Sequence, residues 1–155
     1  MNSTLTLTRT HSNHSDFSKL VNQLDQYLTI LDGDQHDFYN QFNNIDVLKN
    51  VVIAFDENTP VGCGAFKELE EGVIELKRMF TDPRSRGKKV ASQILSELED
   101  WAISLGYHKV VLETGVKMPD AIGLYKKFGY VQVPNYGPYA GKELSVCFEK
   151  NLKIT

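Results

Sequence analysis

No stretch of this chain stays apolar for the roughly 20 residues that a membrane-crossing helix needs, so a membrane partner is not expected. The start, MNSTLTLTRTHSNHSDF, lacks the basic lead and apolar centre of a secretory signal, and export is not expected either. Cysteine is scarce: Cys63 and Cys147 stand far apart, without metal-ligand spacing, and read as reduced core thiols of a cytoplasmic protein. The four histidines, His11, His14, His36 and His108, are scattered, so no metal is expected. An excess of positive charge is also missing. With 17 basic against 20 acidic side chains the net charge is -3, and nucleic-acid binders ordinarily carry a basic stripe. Neither nucleotide-binding glycine pattern, GxxxxGKS/T or GxGxxG, occurs, and there is no internal repeat or linker.

What remains is the composition of an ordinary globular protein, 41% hydrophobic and 24% charged, in 155 residues. That length suits a single domain over residues 1–155 and leaves no room for two full cores. Phe17, Leu20, Val21, Leu24, Leu28 and Leu31 form an apolar stripe at helical spacing, with Ser15 or Asp16 as cap and Gly33 beyond the end. A short second helix is expected over Gln35 to Phe42. Strands follow at Asn50 to Phe55, Val61 to Lys67 and Val73 to Phe80, with turns at 56–60 and 70–72. The clearest helix signal carries Val90, Ile94, Leu98, Trp101 and Leu105 on one face and ends at Gly106. A strand at Lys109 to Glu113 precedes a helix over Pro119 to Phe128 that ends at Gly129. Strands at Val131 to Val133 and Leu144 to Glu149 flank a loop rich in proline, glycine and tyrosine. The order β-α-α-β-β-β-α-β-α-β-β predicts an α/β (α+β) fold, a mixed sheet flanked by helices.

The segment Met79 to Ala91, MFTDPRSRGKKVA, holds the one concentrated run of positive charge. A strand enters a basic turn, and the turn opens directly into a long helix. The first N–H groups of a helix lack internal partners and its dipole is positive there, which suits a phosphate. Gly87 would let the backbone come close to a ligand. Local composition alone leaves an exposed basic turn that binds nothing as an equal alternative.

Further residues break that balance. Arg86-Gly87-Lys88-Lys89-Val90-Ala91 resembles the acetyl-CoA motif Q/R-x-x-G-x-G/A of the Gcn5-related N-acetyltransferase (GNAT) superfamily, with Lys89 where the family usually has glycine. GVIELKRMFTDPRSRGKKVASQIL is similar to the family's fourth strand, turn and helix, LETG to its fifth strand, and AIGLYKKFGY to A-x-x-L-Y-x-x-x-G-F/Y. The resemblance spans roughly Val51 to Glu149 in element order. It implies the GNAT acyl-CoA N-acyltransferase fold, a central mixed sheet of about seven strands with about four helices. It also implies acetyl-CoA as cosubstrate, entering between splayed fourth and fifth strands. By the same resemblance the backbone of Met79, Phe80 and Thr81 would meet pantetheine. Amides from Arg86, Gly87, Lys88, Lys89, Val90 and Ala91 would hold the pyrophosphate, and Arg84 the outer phosphates. Met118 stands where many members have asparagine.

The reaction so implied moves an acetyl group directly to a primary amine. It needs a base for the amine and an acid for the leaving thiolate, while positioning supplies about 7–11 kcal/mol. Glu75 lies inside an apolar strand eleven residues before Arg86, a spacing that resembles the catalytic glutamate of GNAT histone acetyltransferases. An ion pair with Lys77 is the plainer alternative. Tyr125 matches the motif tyrosine that protonates the thiolate in many relatives; a core aromatic is its alternative. Cys63 has no histidine near it in sequence to activate it as a nucleophile. Arg78, Tyr136 and Tyr139 are candidates for the acceptor side, with Phe38, Tyr39 and Phe42 beside them. An inward-facing Arg78 would favour a carboxylate-bearing acceptor. The acceptor is expected to be a small-molecule amine or amino acid. A peptide acetyltransferase and a non-catalytic CoA-binding domain stay open, as does a homodimer, which is common in the family.

Overall fold

The computed structural model describes residues 5–32, 48–87 and 89–152. The expected helix over Gln35 to Phe42, with Phe38, Tyr39 and Phe42, lies outside these residues, as do Gly33 and Lys88. Seven strands form one mixed sheet in the order β1-β2-β3-β4-β5-β7-β6. They are β1 (Leu5–Thr10), β2 (Asn50–Asp56), β3 (Thr59–Glu70), β4 (Val73–Thr81), β5 (Lys109–Gly115), β6 (Val131–Val133) and β7 (Ser145–Asn151). Three α-helices occur among the described residues: α1 (Ser15–Asp32), α2 (Val90–Ser104) and α3 (Pro119–Lys127). Contacts divide the chain into two compact units, one of Met1–Lys67 with Lys77–Asp100, the other of Glu68–Leu76 with Trp101–Thr155.

In the first unit α1 buries Phe17, Leu20, Val21 and Leu24 among Val51, Ile53, Cys63, Ala65 and Phe80. Each such side chain is worth about 1.5–3 kcal/mol of burial, which holds a helix of modest intrinsic propensity. The cap lies one residue earlier than expected. The His14 carbonyl accepts from Ser18 N–H at 3.3 Å, and its Nδ1 accepts from Asp16 N–H at 3.1 Å. Ser15 and Asp16 therefore sit inside the first turn. The β2–β3 hairpin turns on two residues only, because Phe55 pairs with Pro60 and Asp56 with Thr59. In β3, Gly62 and Gly64 share one face, and α2 lies directly on their bare backbone. A Cβ on Gly62 would stand 2.8 Å from Val90 Cγ1, and one on Gly64 would stand 2.9 Å from Leu98 Cδ1. The glycines of VGCGAF thus set how closely α2 approaches the sheet.

Val90, Ile94 and Leu98 of α2 are buried as the stripe predicts, together with Leu95 and Ala102. Leu105 departs from it and is 53% exposed. The helix ends at Ser104, where Gly106 N–H bonds Ile103 O and Tyr107 N–H bonds Ala102 O. That closing pattern turns the chain before the stripe completes another turn.

In the second unit β4 pairs parallel to β5 at Val73↔Lys109, Ile74↔Val110 and Glu75↔Val111. The antiparallel β5–β7 ladder runs from Lys109↔Asn151 to Gly115↔Ser145, and β6 pairs with β7 at its outer side. Helix α3 starts with Pro119 after Met118, whose side chain makes no capping bond. It ends in the same closing pattern as α2. Gly129, at φ 92, takes the left-handed conformation, its N–H bonds Lys126 O, and Tyr130 N–H bonds Tyr125 O. The two tyrosines that this pattern couples meet edge to face, with ring centroids 5.6 Å apart.

Candidate active site

The candidate site residues fall into two groups, one in each unit. In the first unit the strand-to-helix turn after β4 is built on Asp82. Its N–H bonds Val61 O at 2.8 Å, and its carbonyl accepts from Ser85 N–H at 2.8 Å. Its carboxylate accepts from the Arg84 N–H at 2.9 Å, from Nε at 3.1 Å and from Nη2 at 2.8 Å. These bonds to Arg84 hold the Asp82 carboxyl below the usual carboxylate range. A 3₁₀ turn over Pro83–Ser85 results. Sequence reasoning assigned Arg84 to the outer phosphates; the structure gives its guanidinium this second partner. Arg86 lies over the Tyr27 ring of α1 at 5.8 Å, and its N–H already reaches Pro83 O at 3.4 Å.

Past Arg86 the backbone is left-handed twice. Gly87 has φ 86 and Lys89 has φ 62. The position at which the family motif prefers glycine thus keeps a glycine-like conformation in this chain, although lysine occupies it. Lys89 is also the residue whose carbonyl accepts the first α2 bond, from Gln93 N–H at 3.1 Å. Helix geometry leaves the N–H groups of Val90, Ala91 and Ser92 without in-helix acceptors. A lysine at the cap has no side-chain acceptor to offer them. A Cβ on Gly87 would meet nothing within 4 Å, so the space beside Gly87 is open. A diphosphate matches what the turn provides: donors, positive charge and room.

Arg78, in β4, faces inward with its side chain only 4% exposed. Its Nη1 bonds Asp25 Oδ1 of α1 at 2.6 Å, so the carboxylate it meets is the protein's own. Its backbone is left-handed, φ 60, within a strand, and its carbonyl accepts from Cys63 Sγ at 3.4 Å. Such a conformation costs a non-glycine residue about 1–3 kcal/mol. The ion pair and the thiol contact hold it in place. Burial pushes the Cys63 thiol up to about 12, against a lowering by Arg78. The thiol stays neutral and is not a poised nucleophile.

In the second unit Glu75 is buried, 4% exposed, and its Oε2 accepts from Tyr136 Oη at 2.6 Å. Tyr136 packs edge to face on buried Tyr139, centroids 5.9 Å apart. Burial, the Glu75 charge and its hydrogen bond push the Tyr136 phenol far up, so it donates throughout the neutral range. The loop brings together three residues that the sequence could only nominate separately. Tyr125 stands apart from this trio in its contacts, between Tyr130 and Phe148, whose ring centroid lies 6.4 Å away. Burial, with a smaller push from Glu113, raises its phenol pKa strongly. Glu113, which sequence reasoning passed over, also raises Cys147, after burial. A carboxylate directly after the apolar run Val110-Val111-Leu112 of the strand KVVLETG was the available signal. Met118, in the asparagine slot, accepts from the Thr114 hydroxyl through its sulfur at 3.7 Å.

A profile of the acetyltransferase (GNAT) family matches residues 17–130. The chain belongs to the GNAT family. It is 36% identical over 140 residues, 86% of this chain and 89% of the relative, to a protein of Azospirillum brasilense named IAA acetyltransferase. It also matches a solved Klebsiella pneumoniae protein assigned as an acyl-CoA N-acyltransferase, with TM-score 0.82 and 31% identity over 98% of this chain and all of that one. PaiA N-acetyltransferase from Thermoplasma acidophilum, solved with coenzyme A, shares the fold at TM-score 0.58 and 22% identity over 65% of this chain and 59% of that one. The GNAT fold read from the sequence is the fold found, and the chain is an acetyl-CoA-dependent N-acetyltransferase. Among the described residues no helix is long and apolar enough to cross a membrane.

Proposed function

We infer that this GNAT enzyme acetylates a primary amine of a small molecule or amino acid, with Glu75 as base and Tyr125 as acid. Residues 1–155 act as one acetyltransferase domain in this reading. The observation that carries it is the 2.6 Å bond from Tyr136 to the buried Glu75 carboxylate. A charge buried this deeply needs partners, and the loop between β6 and β7 folds over Glu75 to supply one. A carboxylate so enclosed suits a compact amine better than the flat run of a peptide.

Bound acetyl-CoA supplies an activated carbonyl and a thiolate leaving group. The turn suits it: Gly87 borders open space, the first amides of α2 lack in-helix acceptors, and Arg84, Arg86 and Lys89 supply positive charge. Met79, Phe80 and Thr81 are assigned to the pantetheine arm on the strength of the family resemblance. Glu75 takes the proton of the incoming ammonium, directly or through a water, and Tyr136 orients the carboxylate by donating to Oε2. Tyr136 and Tyr139 wall the acceptor side. Tyr125 keeps its proton at neutral pH because burial and Glu113 oppose its ionisation, so it is available as a donor to the departing sulfur. Arg78 holds α1 to β4 through Asp25, so the reading does not require a carboxylate on the acceptor. Two buried free thiols, Cys63 and Cys147, suit work in the cytoplasm.

The test is CoA release from acetyl-CoA over a panel of amines, amino acids and lysine-containing peptides. Turnover on one or more small amines, well above that on any peptide, is the expected outcome. Turnover confined to peptides would remove the small-acceptor reading, and binding of acetyl-CoA without turnover on any amine would favour a non-catalytic domain.

A further inference from the structure

The Tyr136–Glu75 bond depends on where the loop after β6 places one side chain, and a single amide secures that loop. Asn135 Nδ2 donates to Lys142 O at 3.0 Å and to Ser145 O at 3.0 Å. One side chain thereby ties the start of the loop to its end and to the first residue of β7. Inside the tie the chain closes on itself: Tyr139 N–H bonds Tyr136 O at 3.0 Å, Lys142 N–H bonds Tyr139 O at 3.0 Å, and Ser145 N–H bonds Lys142 O at 3.1 Å. Tyr139, buried at 3% exposure, is the wall against which the Tyr136 ring rests. The Asn135 Nδ2 carries two N–H groups on one atom and so can serve both carbonyls. Asparagine and glutamine alone offer that from a neutral amide, and only asparagine is short enough to do so beside its own backbone.

We propose that Asn135 is a positioning residue for catalysis, a clip across the β6–β7 loop that aims Tyr136 Oη at Glu75. The proposal rests on Glu75 being the base and adds a residue that touches neither substrate nor reacting atoms. Its effect travels through one hydrogen bond. Loss of the clip lets Tyr136 withdraw, and Glu75 then loses the hydrogen bond that orients its carboxylate. The ionisable groups sharing the field of this site are Tyr136 and Tyr139 of the loop, Cys147 of β7 and Glu113 of β5.

The experiment compares the parent with Asn135→Asp, Asn135→Ala, Tyr136→Phe, Asn135→Ala/Tyr136→Phe and Glu75→Gln. The readouts are kcat, KM for acetyl-CoA and the pH profile of kcat/KM. Asn135→Asp keeps the shape but presents a carboxylate to two carbonyls; Asn135→Ser serves if either larger change impairs folding. Tyr136→Phe and each Asn135 variant should lower kcat with little change in the acetyl-CoA KM. All should displace the acid limb of the profile, because the base then lacks the hydrogen bond that orients it. The double variant should be no worse than Tyr136→Phe alone, because both changes remove the same bond. An acid limb unmoved in the folded Asn135 variants while Tyr136→Phe shifts it would overturn the clip, and so would additive losses. Glu75→Gln tests the underlying reading separately, since it should abolish the acid limb. If that limb survives, Glu75 is not the base. The clip is then judged by the downfield phenolic proton of Tyr136, identified by its loss in Tyr136→Phe. Its persistence in Asn135→Ala would also overturn the proposal.

Discussion

Lys89 offers a measurement that separates the shape of the coenzyme turn from its charge. Its φ of 62 places a lysine in the left-handed region, at a cost of roughly 1–2 kcal/mol against an unstrained residue. Lys89→Gly releases that strain but adds chain freedom to the unfolded state, worth about 0.4–1 kcal/mol in the opposite direction. The difference is a net stabilisation of about 0.5–1 kcal/mol, which for a chain of this length corresponds to a Tm rise of about 1–4 °C. Lys89→Ala is the control. It removes the same charge, keeps the Cβ and the strain, and should shift stability by no more than about 0.5 kcal/mol. Thermal unfolding of the three proteins, followed by circular dichroism at pH 7, reads the comparison. Initial rates against acetyl-CoA concentration then report the cradle: any KM change common to both variants belongs to the lysine charge. The reasoning fails if Lys89→Ala gains as much as Lys89→Gly, or if Lys89→Gly melts below the parent.

Three other outcomes are expected. Tyr125→Phe should lower kcat by about 10²-fold, at the modest end of general-acid effects, while acetyl-CoA binding measured by calorimetry stays near the parent value. Equal turnover would remove its acid role. Gly87→Glu should abolish acetyl-CoA binding, since a carboxylate and a strained backbone both enter the open space of the turn; retained affinity in the same calorimetric titration would overturn the cradle. Asp82→Asn should melt below the parent at neutral pH, by a small margin because the Arg84 side chain is 85% exposed and the pair is screened by solvent. The folded carboxyl titrates below its unfolded value. The contribution of its charge is therefore complete above about pH 4 and is lost as the pH falls through the lower folded value. A Tm gap that stays constant down to pH 2 would contradict the pairing.

Periodic and punctuated features of this fold were legible in the sequence. The stripe of Phe17, Leu20, Val21 and Leu24 needed only helical spacing, and Gly106 and Gly129 marked helix ends through the one conformation that favours glycine. Where a local rule competed with another, the sequence was less reliable. Leu105 fitted the stripe of α2, but the closing turn at Gly106 removed it from the core. His14 displaced Ser15 and Asp16 as cap because its ring nitrogen can accept as they do. The site was legible only as a set of separate nominees. Tyr136 and Glu75 are 61 positions apart, and Arg78 and Asp25 are 53 apart. Pairings at such separations leave no local pattern, because the sheet and the helix packing bring the partners together. The left-handed backbone of Lys89 was equally hidden, since nothing in lysine announces it.

The coupling of Tyr125 to the end of α3 has a consequence for how this enzyme can change. The carbonyl of the proposed proton donor receives the Tyr130 N–H, and its ring leans on the same neighbour. In the proposed mechanism, chemistry and helix closure therefore share one residue. A replacement at Gly129 or Tyr130, neither of which is assigned any contact with substrate, would tilt the phenol and register first as slower turnover. Variation there is constrained by the reaction as much as by folding.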